Sequence, residues 1–240
     1  MLGACQQVRD SSQDFSSEAE EPNPDPLEPM NRMFFSINYF LDKVLITPFA
    51  TIYRDAIPSP VQKGFQNLLT NLNAPLDAIN YALQGNGKQF VQACGHFFVN
   101  SVFGLLGVVD VLKESGIERR KTSFSDTLTV WGFKKGPYLV LPILGPSSFR
   151  GTIGTAGDWF MNPWYWAVQN RHRSHNKKGQ QRNLLYSLYG IDLLDKRSQY
   201  LDISQDLEKT SLDLYASTRS LYLQRQDHIE TNLQESSLPE

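Results

Sequence analysis

The most apolar stretch of this 240-residue chain, Phe97–Leu112, ends after 16 residues. A helix that crosses a bilayer needs about 20 consecutive apolar residues, and no stretch of the sequence reaches that length. Asn100 and Asp110 stand near the ends of this one, and Ser101, Gly104 and Gly107 recur at every third position, where small side chains let another helix approach closely. Length alone favours a central core helix; a helical hairpin dipping partway into lipid is the alternative. A second apolar run, Met33 to Tyr53, is interrupted by Asp42-Lys43 and Pro48. It fits an interfacial segment or part of a buried hairpin.

With 40% hydrophobic residues and a net charge of -2, the chain has the composition of an ordinary globular protein and no basic field for nucleic acid. Its two cysteines, Cys5 and Cys94, cannot build a disulfide framework or a closed zinc site. Leu2-Gly3-Ala4-Cys5 has the form of a lipobox: small residues admit the peptidase, and the thiol carries the lipid. Acyl chains on Cys5 would hold the chain to a bilayer, each buried methylene contributing about 0.8 kcal/mol. Gln6, where an aspartate would retain the protein elsewhere, favours the outer membrane. The other reading is an unstructured start that happens to contain a cysteine. Residues 6–24 are polar, acidic and proline-bearing, and read as a tether.

Helical spacing dominates the next part. Ser59-Pro60 is a start signal, Val61 to Leu83 keep one apolar stripe, Pro75 is expected to divide it into two helices, and Gly85 to stop the second. A further helix from Lys88 places Phe90, Cys94, Phe97 and Ser101 on one face, making Cys94 a small core residue. Glycine and proline punctuate residues 113–158, which argues against long helices; Leu128–Trp131 and Tyr138–Leu141 read as short extended pieces. Trp159, Phe160, Trp164, Tyr165 and Trp166 form an aromatic cluster suited to a water–lipid boundary or to a core patch. The basic stretch from Arg171 to Lys178, continuing to Arg182, suits phosphate headgroups or a solvated loop. One last helix is expected from about Ile203 to Ile229.

Catalytic patterns fail on inspection. His172 and His175 have metal spacing but no third ligand, and cations flank them. Ser174-His175-Asn176-Lys177 lacks the companion motifs of its hydrolase class, and Gly145-Pro146-Ser147-Ser148-Phe149 lacks the last glycine of a nucleophile elbow. Gly151, Gly154 and Gly157 do not follow dinucleotide spacing. No catalytic residue, metal or cofactor is assigned.

Several ordered blocks resemble the MlaA (VacJ) lipoproteins of Gram-negative bacteria. Asp25-Pro26-Leu27-Glu28 with Asn31-Arg32 opens the match, continued by Phe35, Asn38, Asp42 and Pro48, then Tyr53-Arg54-Asp55. Asn71-Leu72 with Pro75, Asn80 and Leu83-Gln84-Gly85 form a second block, and Asn100-Ser101, Gly104, Gly107 and Asp110-Val111 a third. The most specific block is Thr127-Leu128, Trp131-Gly132, Gly136-Pro137-Tyr138, Leu141-Pro142, Gly145-Pro146-Ser147 and Arg150. Leu193-Leu194-Asp195, Leu212-Asp213-Tyr215 and Gln224-Arg225 close it. Gly151 stands where the family has aspartate, Ser125 and Thr129 where it has glycines, and His96 where it has arginine.

The resemblance implies a mostly α-helical, single ring-like domain over 25–230, embedded in one membrane leaflet from the periplasmic side, with glycine- and proline-rich loops and a disordered tail at 231–240. Such a ring would let outer-leaflet phospholipids pass through an amphipathic channel to a periplasmic, MlaC-like carrier, with a trimeric porin holding it in place. Phe97–Leu112 then becomes partly lipid-facing. Candidate channel or lipid-contact residues are Arg32, Phe34, Phe35, Asn38, Tyr39, Phe40, Asn100, Val102, Leu105, Leu106 and Arg150, with Trp159, Trp164 and Trp166 at the interface and Cys5 lipidated. For each polar candidate, capping a helix or closing a turn is the competing role. The rival functions are a lipoprotein that only scaffolds porins or envelope partners, and a periplasmic lipid hydrolase.

Overall fold

A computed structural model describes residues 25–169 and 175–237, and these are mostly helical. Helix α1 (Glu28–Leu41) runs through a π-helical turn (Asp42–Ile46) into α2 (Thr47–Ala56). Pro48 has no N–H to donate, and the wide turn ahead of it carries the chain onward without a break. Next come α3 (Ser59–Leu83), α4 (Gly87–Val102), α5 (Val111–Glu114) and α6 (Phe124–Val130), then the strands β1 (Tyr138–Leu141) and β2 (Gly145–Ser148). Helices α7 (Phe149–Met161), α8 (Pro163–Gln169), α9 (His175–Gln199), α10 (Leu201–Thr210) and α11 (Leu214–Ser237) complete the order.

Pro75 does not divide α3. The helix passes through it, and donors from elsewhere bind carbonyls on either side of the one the proline leaves free. Arg119 Nη1 donates to the Thr70 oxygen at 2.7 Å and Trp164 Nε1 to that of Leu72 at 2.6 Å. Nor does Ser59 cap the helix, since it lies within the first turn and no side chain caps that end. The far end matches expectation: Gly85, at φ +74°, lets its own N–H reach Ala82 O and the Asn86 N–H reach Tyr81 O.

Leu128–Trp131 is not extended. Ser123 and Asp126 cap each other's backbone reciprocally, and this starts α6 instead. Glycines do not prevent a helix at 149–161 either, because α7 uses them for contact. A Cβ on Gly154 would lie 2.6 Å from the Ser125 Cβ, and one on Gly157 would lie 2.3 Å from the Phe124 ring, so α6 and α7 pack nearly backbone to backbone. The expected final helix is two, α10 and α11, broken at Ser211–Asp213; Asp213 accepts the Ala216 N–H at 3.1 Å and starts the second. Helix α11 continues to Ser237, past the expected start of a loose tail.

Strands β1 and β2 pair antiparallel, Tyr138 opposite Ser148 and Leu141 opposite Gly145. Tyr138 and Val140 pack with Tyr215 of α11, and Phe34, Phe35 and Tyr222 close around them. Elsewhere small apolar clusters, such as Ala78, Tyr81 and Ala93, share the interior with many buried polar side chains. Of the five largest fully buried side chains among the described residues only Leu201 is apolar; the others are His96, Asn31, Asn80 and Thr127.

Candidate functional site

Apolar side chains that ordinarily fill a core are on the outside here. Along α1 and α2, Met33, Ile37, Phe40, Phe49 and Ile52 are exposed, Phe40 by 63%. Helix α4 repeats the arrangement. Its buried residues are Ala93, His96 and Asn100, whereas Val91, Phe98 and Val102 face outward. Cys94 is therefore exposed and not a core residue; the helix is rotated so that its polar stripe points inward. Burial also holds the His96 imidazole below its ordinary pKa, which leaves it neutral at pH 7.

Phe97–Leu112 is not a core helix. Helix α4 ends at Val102, and residues 103–110 form a tip that turns back into α5. Leu105 and Leu106 adopt left-handed conformations (φ 52° and 62°) and are 74% and 71% exposed. Left-handed backbone is costly for a leucine, so the tip must be held. Asn71 donates to Ser101 Oγ at 2.9 Å and to the Leu106 oxygen at 3.2 Å, and Asn67 to the Val108 oxygen at 3.1 Å. Gly107, at φ +98°, lies so close that a Cβ would come within 2.4 Å of Asn71 Cβ. Asn100 closes the base, donating to Asp110 at 2.8 Å and accepting from the Leu112 N–H. The result is an exposed apolar point whose Leu106 and Val108 carbonyls are bound from below. If this tip lies in hydrocarbon, Leu105→Lys should weaken liposome association by up to about 3 kcal/mol. Spin labels at Leu105 and Phe40 should then relax with oxygen; faster relaxation with a water-soluble nickel chelate would place both in water.

Residues of the opening signature are structural ties. Asp25 accepts from the Leu27 N–H, Asn31 and the Tyr215 hydroxyl. Asn31, fully buried, donates to the Tyr138 oxygen at 3.0 Å and accepts from the Val140 N–H at 2.9 Å. Two turns on, Asn38 repeats the clamp on the hairpin tip, donating to Leu141 O at 2.8 Å and accepting from Ile143 N–H at 2.7 Å. One helix thus completes the hydrogen bonding of a strand edge. Arg150, also buried, donates to the Phe133 oxygen at 3.1 Å and to Glu230 at 2.6 Å, fastening α7 to α11. Gly151 follows it where the family has aspartate; its N–H is capped by Ser148 Oγ at 3.0 Å.

The candidates thus fall in three places. Arg32, Phe35 and Tyr39 line an open cavity of about 490 Å³ with Leu212 and Tyr215, where Arg32 pairs with Asp213 at 2.6 Å and Glu28 at 2.7 Å and lies over the Tyr215 ring. Val102, Leu105 and Leu106 lie at the tip. Asn38, Asn100 and Arg150 are engaged in clamping backbone, so their polar groups are directed at the protein itself. Phe34 packs against the Tyr138 cluster, as does one side of Phe35. Trp159 and Trp166 are exposed, whereas Trp164 is half-buried and hydrogen-bonded. Cys5, His172 and the side chains of the basic stretch, His175 included, lie outside the described residues.

The sequence names Asn31 and Asn71 only within the family blocks and gives neither a role, and it does not mark the buried Arg119–Asp77 pair joining the 115–123 segment to α3; the inward polar stripe of α3, with Asn71, Asp77 and Asn80 buried, is the available signal. Among the described residues no group of three His, Cys, Asp or Glu side chains is placed to hold a metal, and no helix is long and apolar enough to cross a membrane. Ser147 and Ser148 end a strand and cap a helix.

Outward apolar faces on α1, α2 and α4, buried polar side chains and an exposed leucine tip define a helical protein built for apolar surroundings. The chain belongs to the MlaA lipoprotein family, whose model matches residues 23–228. It is 30% identical over 214 residues to the intermembrane phospholipid transport system lipoprotein MlaA of Escherichia coli K12, covering 88% of this chain and 80% of that protein. The Haemophilus influenzae protein of the same name is 30% identical over 206 residues, 83% of this chain and 76% of the relative. A solved structure described as "Structural basis for maintenance of bacterial outer membrane lipid asymmetry" superposes with a TM-score of 0.71 at 28% identity, covering 86% of this chain and 99% of the other.

Proposed function

We propose that this protein is an outer-membrane lipoprotein, anchored through Cys5 and embedded as a ring in the periplasmic leaflet, that draws phospholipid from the outer leaflet and releases it to a periplasmic carrier. The observation that carries this reading is the apolar outer face on α1, α2, α4 and the 103–110 tip, next to the open cavity lined by Arg32, Phe35 and Tyr39. A phospholipid changing leaflets must take a charged headgroup past hydrocarbon, where isolated charges cost several kcal/mol or more. A polar passage inside an apolar rim lowers that barrier and leaves the tails solvated. The names of the relatives above point the same way. Nothing in the proposed route requires a covalent step, so net direction comes from a carrier that keeps removing lipid. A trimeric porin is the proposed neighbour that holds the ring at the right depth.

Deleting the protein should raise the phospholipid content of the outer leaflet, and a restored copy should reverse the change. Unchanged leaflet composition, with porin association intact, would leave a scaffold and no lipid passage.

A further inference from the structure

Among the described residues, those other than glycine that adopt left-handed backbone are Leu105, Leu106 and Ile143. All are large aliphatic residues at turns, 74%, 71% and 75% exposed. The two leucines belong to the 103–110 tip. Ile143 lies in the turn Pro142-Ile143-Leu144 between β1 and β2, next to an equally exposed Leu144. A β-branched residue at φ 69° is strained, where glycine or asparagine would cost little. Turns that face water ordinarily carry such small or polar residues. This one carries apolar residues throughout, and no charged side chain occurs from Gly136 to Phe149.

The backbone donors of the turn are also used up. Pro142 has no N–H, the Ile143 N–H binds Asn38 Oδ1 at 2.7 Å, and the Leu144 N–H binds the Pro142 oxygen at 2.8 Å. Asn38 covers the Leu141 carbonyl as well, at 2.8 Å. Water satisfies the donors of an ordinary exposed turn; in hydrocarbon they must find partners within the protein. The 103–110 tip is built the same way, with Asn71 holding the Leu106 carbonyl from a neighbouring helix. Ile37 and Phe40, close to Asn38 along α1, are exposed too, so the turn borders an apolar outer face.

We propose that Pro142-Ile143-Leu144 is a second membrane-insertion point, which enters the acyl chains of a phospholipid leaflet, and that Asn38 is the residue that lets it enter. The proposal rests on the membrane-embedded reading above and adds a contact outside the helices and the 103–110 tip. A protein partner would bring donors and acceptors of its own to the turn. Hydrocarbon brings none, and it is the surroundings for which internally paired donors and strained aliphatic residues are suited.

The test places a photo-reactive benzoylphenylalanine at Leu144 or, as reference, at Leu105. The full chain is reconstituted in vesicles of phosphatidylethanolamine and radiophosphorus-labelled phosphatidylglycerol. The Leu144 probe should capture labelled lipid to within about three-fold of the Leu105 probe. Ile143→Asn should cut capture at Leu144 about ten-fold, the scale of one isoleucine side chain lost from hydrocarbon. The same variant relieves the left-handed strain, so its melting midpoint in detergent should not fall. Asn38→Ala should cut capture at least five-fold, since a donor left bare resists transfer to lipid. Capture at Leu105 should be unchanged in both variants, which also shows that they are folded and embedded. Three results overturn the proposal and leave the embedded reading standing: no lipid at Leu144 while Leu105 is labelled, capture of a second copy of the chain there instead of lipid, or lipid capture that neither variant changes. Absence of lipid at both probes removes the embedded reading itself.

Discussion

Arg119→Met is expected to lower the unfolding free energy by about 3–5 kcal/mol, the usual cost of breaking a buried ion pair from one side. Arg119 and Asp77 are both almost wholly buried, and the guanidinium also holds the Thr70 carbonyl near Pro75. Burial pushes the Asp77 carboxyl up to about 6 even with Arg119 beside it. Without the guanidinium the folded-state value rises further. An acid whose folded pKa exceeds its unfolded one contributes stability below the unfolded value, near 4, and loses it as pH rises through the folded one. The deficit of the variant should therefore be greatest at pH 7–8 and shrink by pH 5. Denaturant melts in detergent at both pH values check this, with Asp77→Leu/Arg119→Met as the companion. The double variant removes both charges and should recover much of the loss. A single variant within about 1 kcal/mol of the parent at pH 7.5 would mean that water reaches the pair.

Asn31→Ala should cost about 4 kcal/mol. It strips the buried Tyr138 carbonyl and Val140 N–H of their partners and takes one donor from Asp25, and each orphaned buried group costs about 1–3 kcal/mol. The loss should be local before it is global: amide exchange at Val140 and Ile143 should accelerate, because Asn38 then holds the hairpin alone. Uniform acceleration across α3 and α4 would show that the clamp has no separate role. Asn31→Asp is the informative second variant, since it keeps an acceptor for Val140 but offers no donor to Tyr138 and repels Asp25.

Much of the fold could be read from the sequence. Periodicity located α3 and α4, Gly85 ended α3 where a glycine should, and Tyr138–Leu141 is a strand. What periodicity does not carry is direction. It marks an apolar face on α4 but not whether that face looks in or out, so Cys94 was assigned to a core that the helix does not form. Leu128–Trp131 was misread for a different reason, since four apolar and β-prone residues cannot announce the capping box that precedes them. The candidate site was legible in part. Leu105 and Leu106 stand out because the tip is continuous in sequence. The roles of Asn31 and Asn38 depend on a strand more than 100 residues away.

The polar interior has a thermal consequence. Heat capacity rises on unfolding in proportion to the apolar surface newly given to water, about +0.45 cal/mol/K per Å², and falls with polar surface, about -0.26. A chain that buries His96, Asn31, Asn80 and Thr127 and leaves Phe40, Phe98 and Phe103 outside releases a more polar mixture than one with a wholly apolar core. Its stability curve is expected to be correspondingly shallower. For a protein of the cell envelope, where temperature is set by the surroundings, the free energy of folding would then change less as they warm or cool.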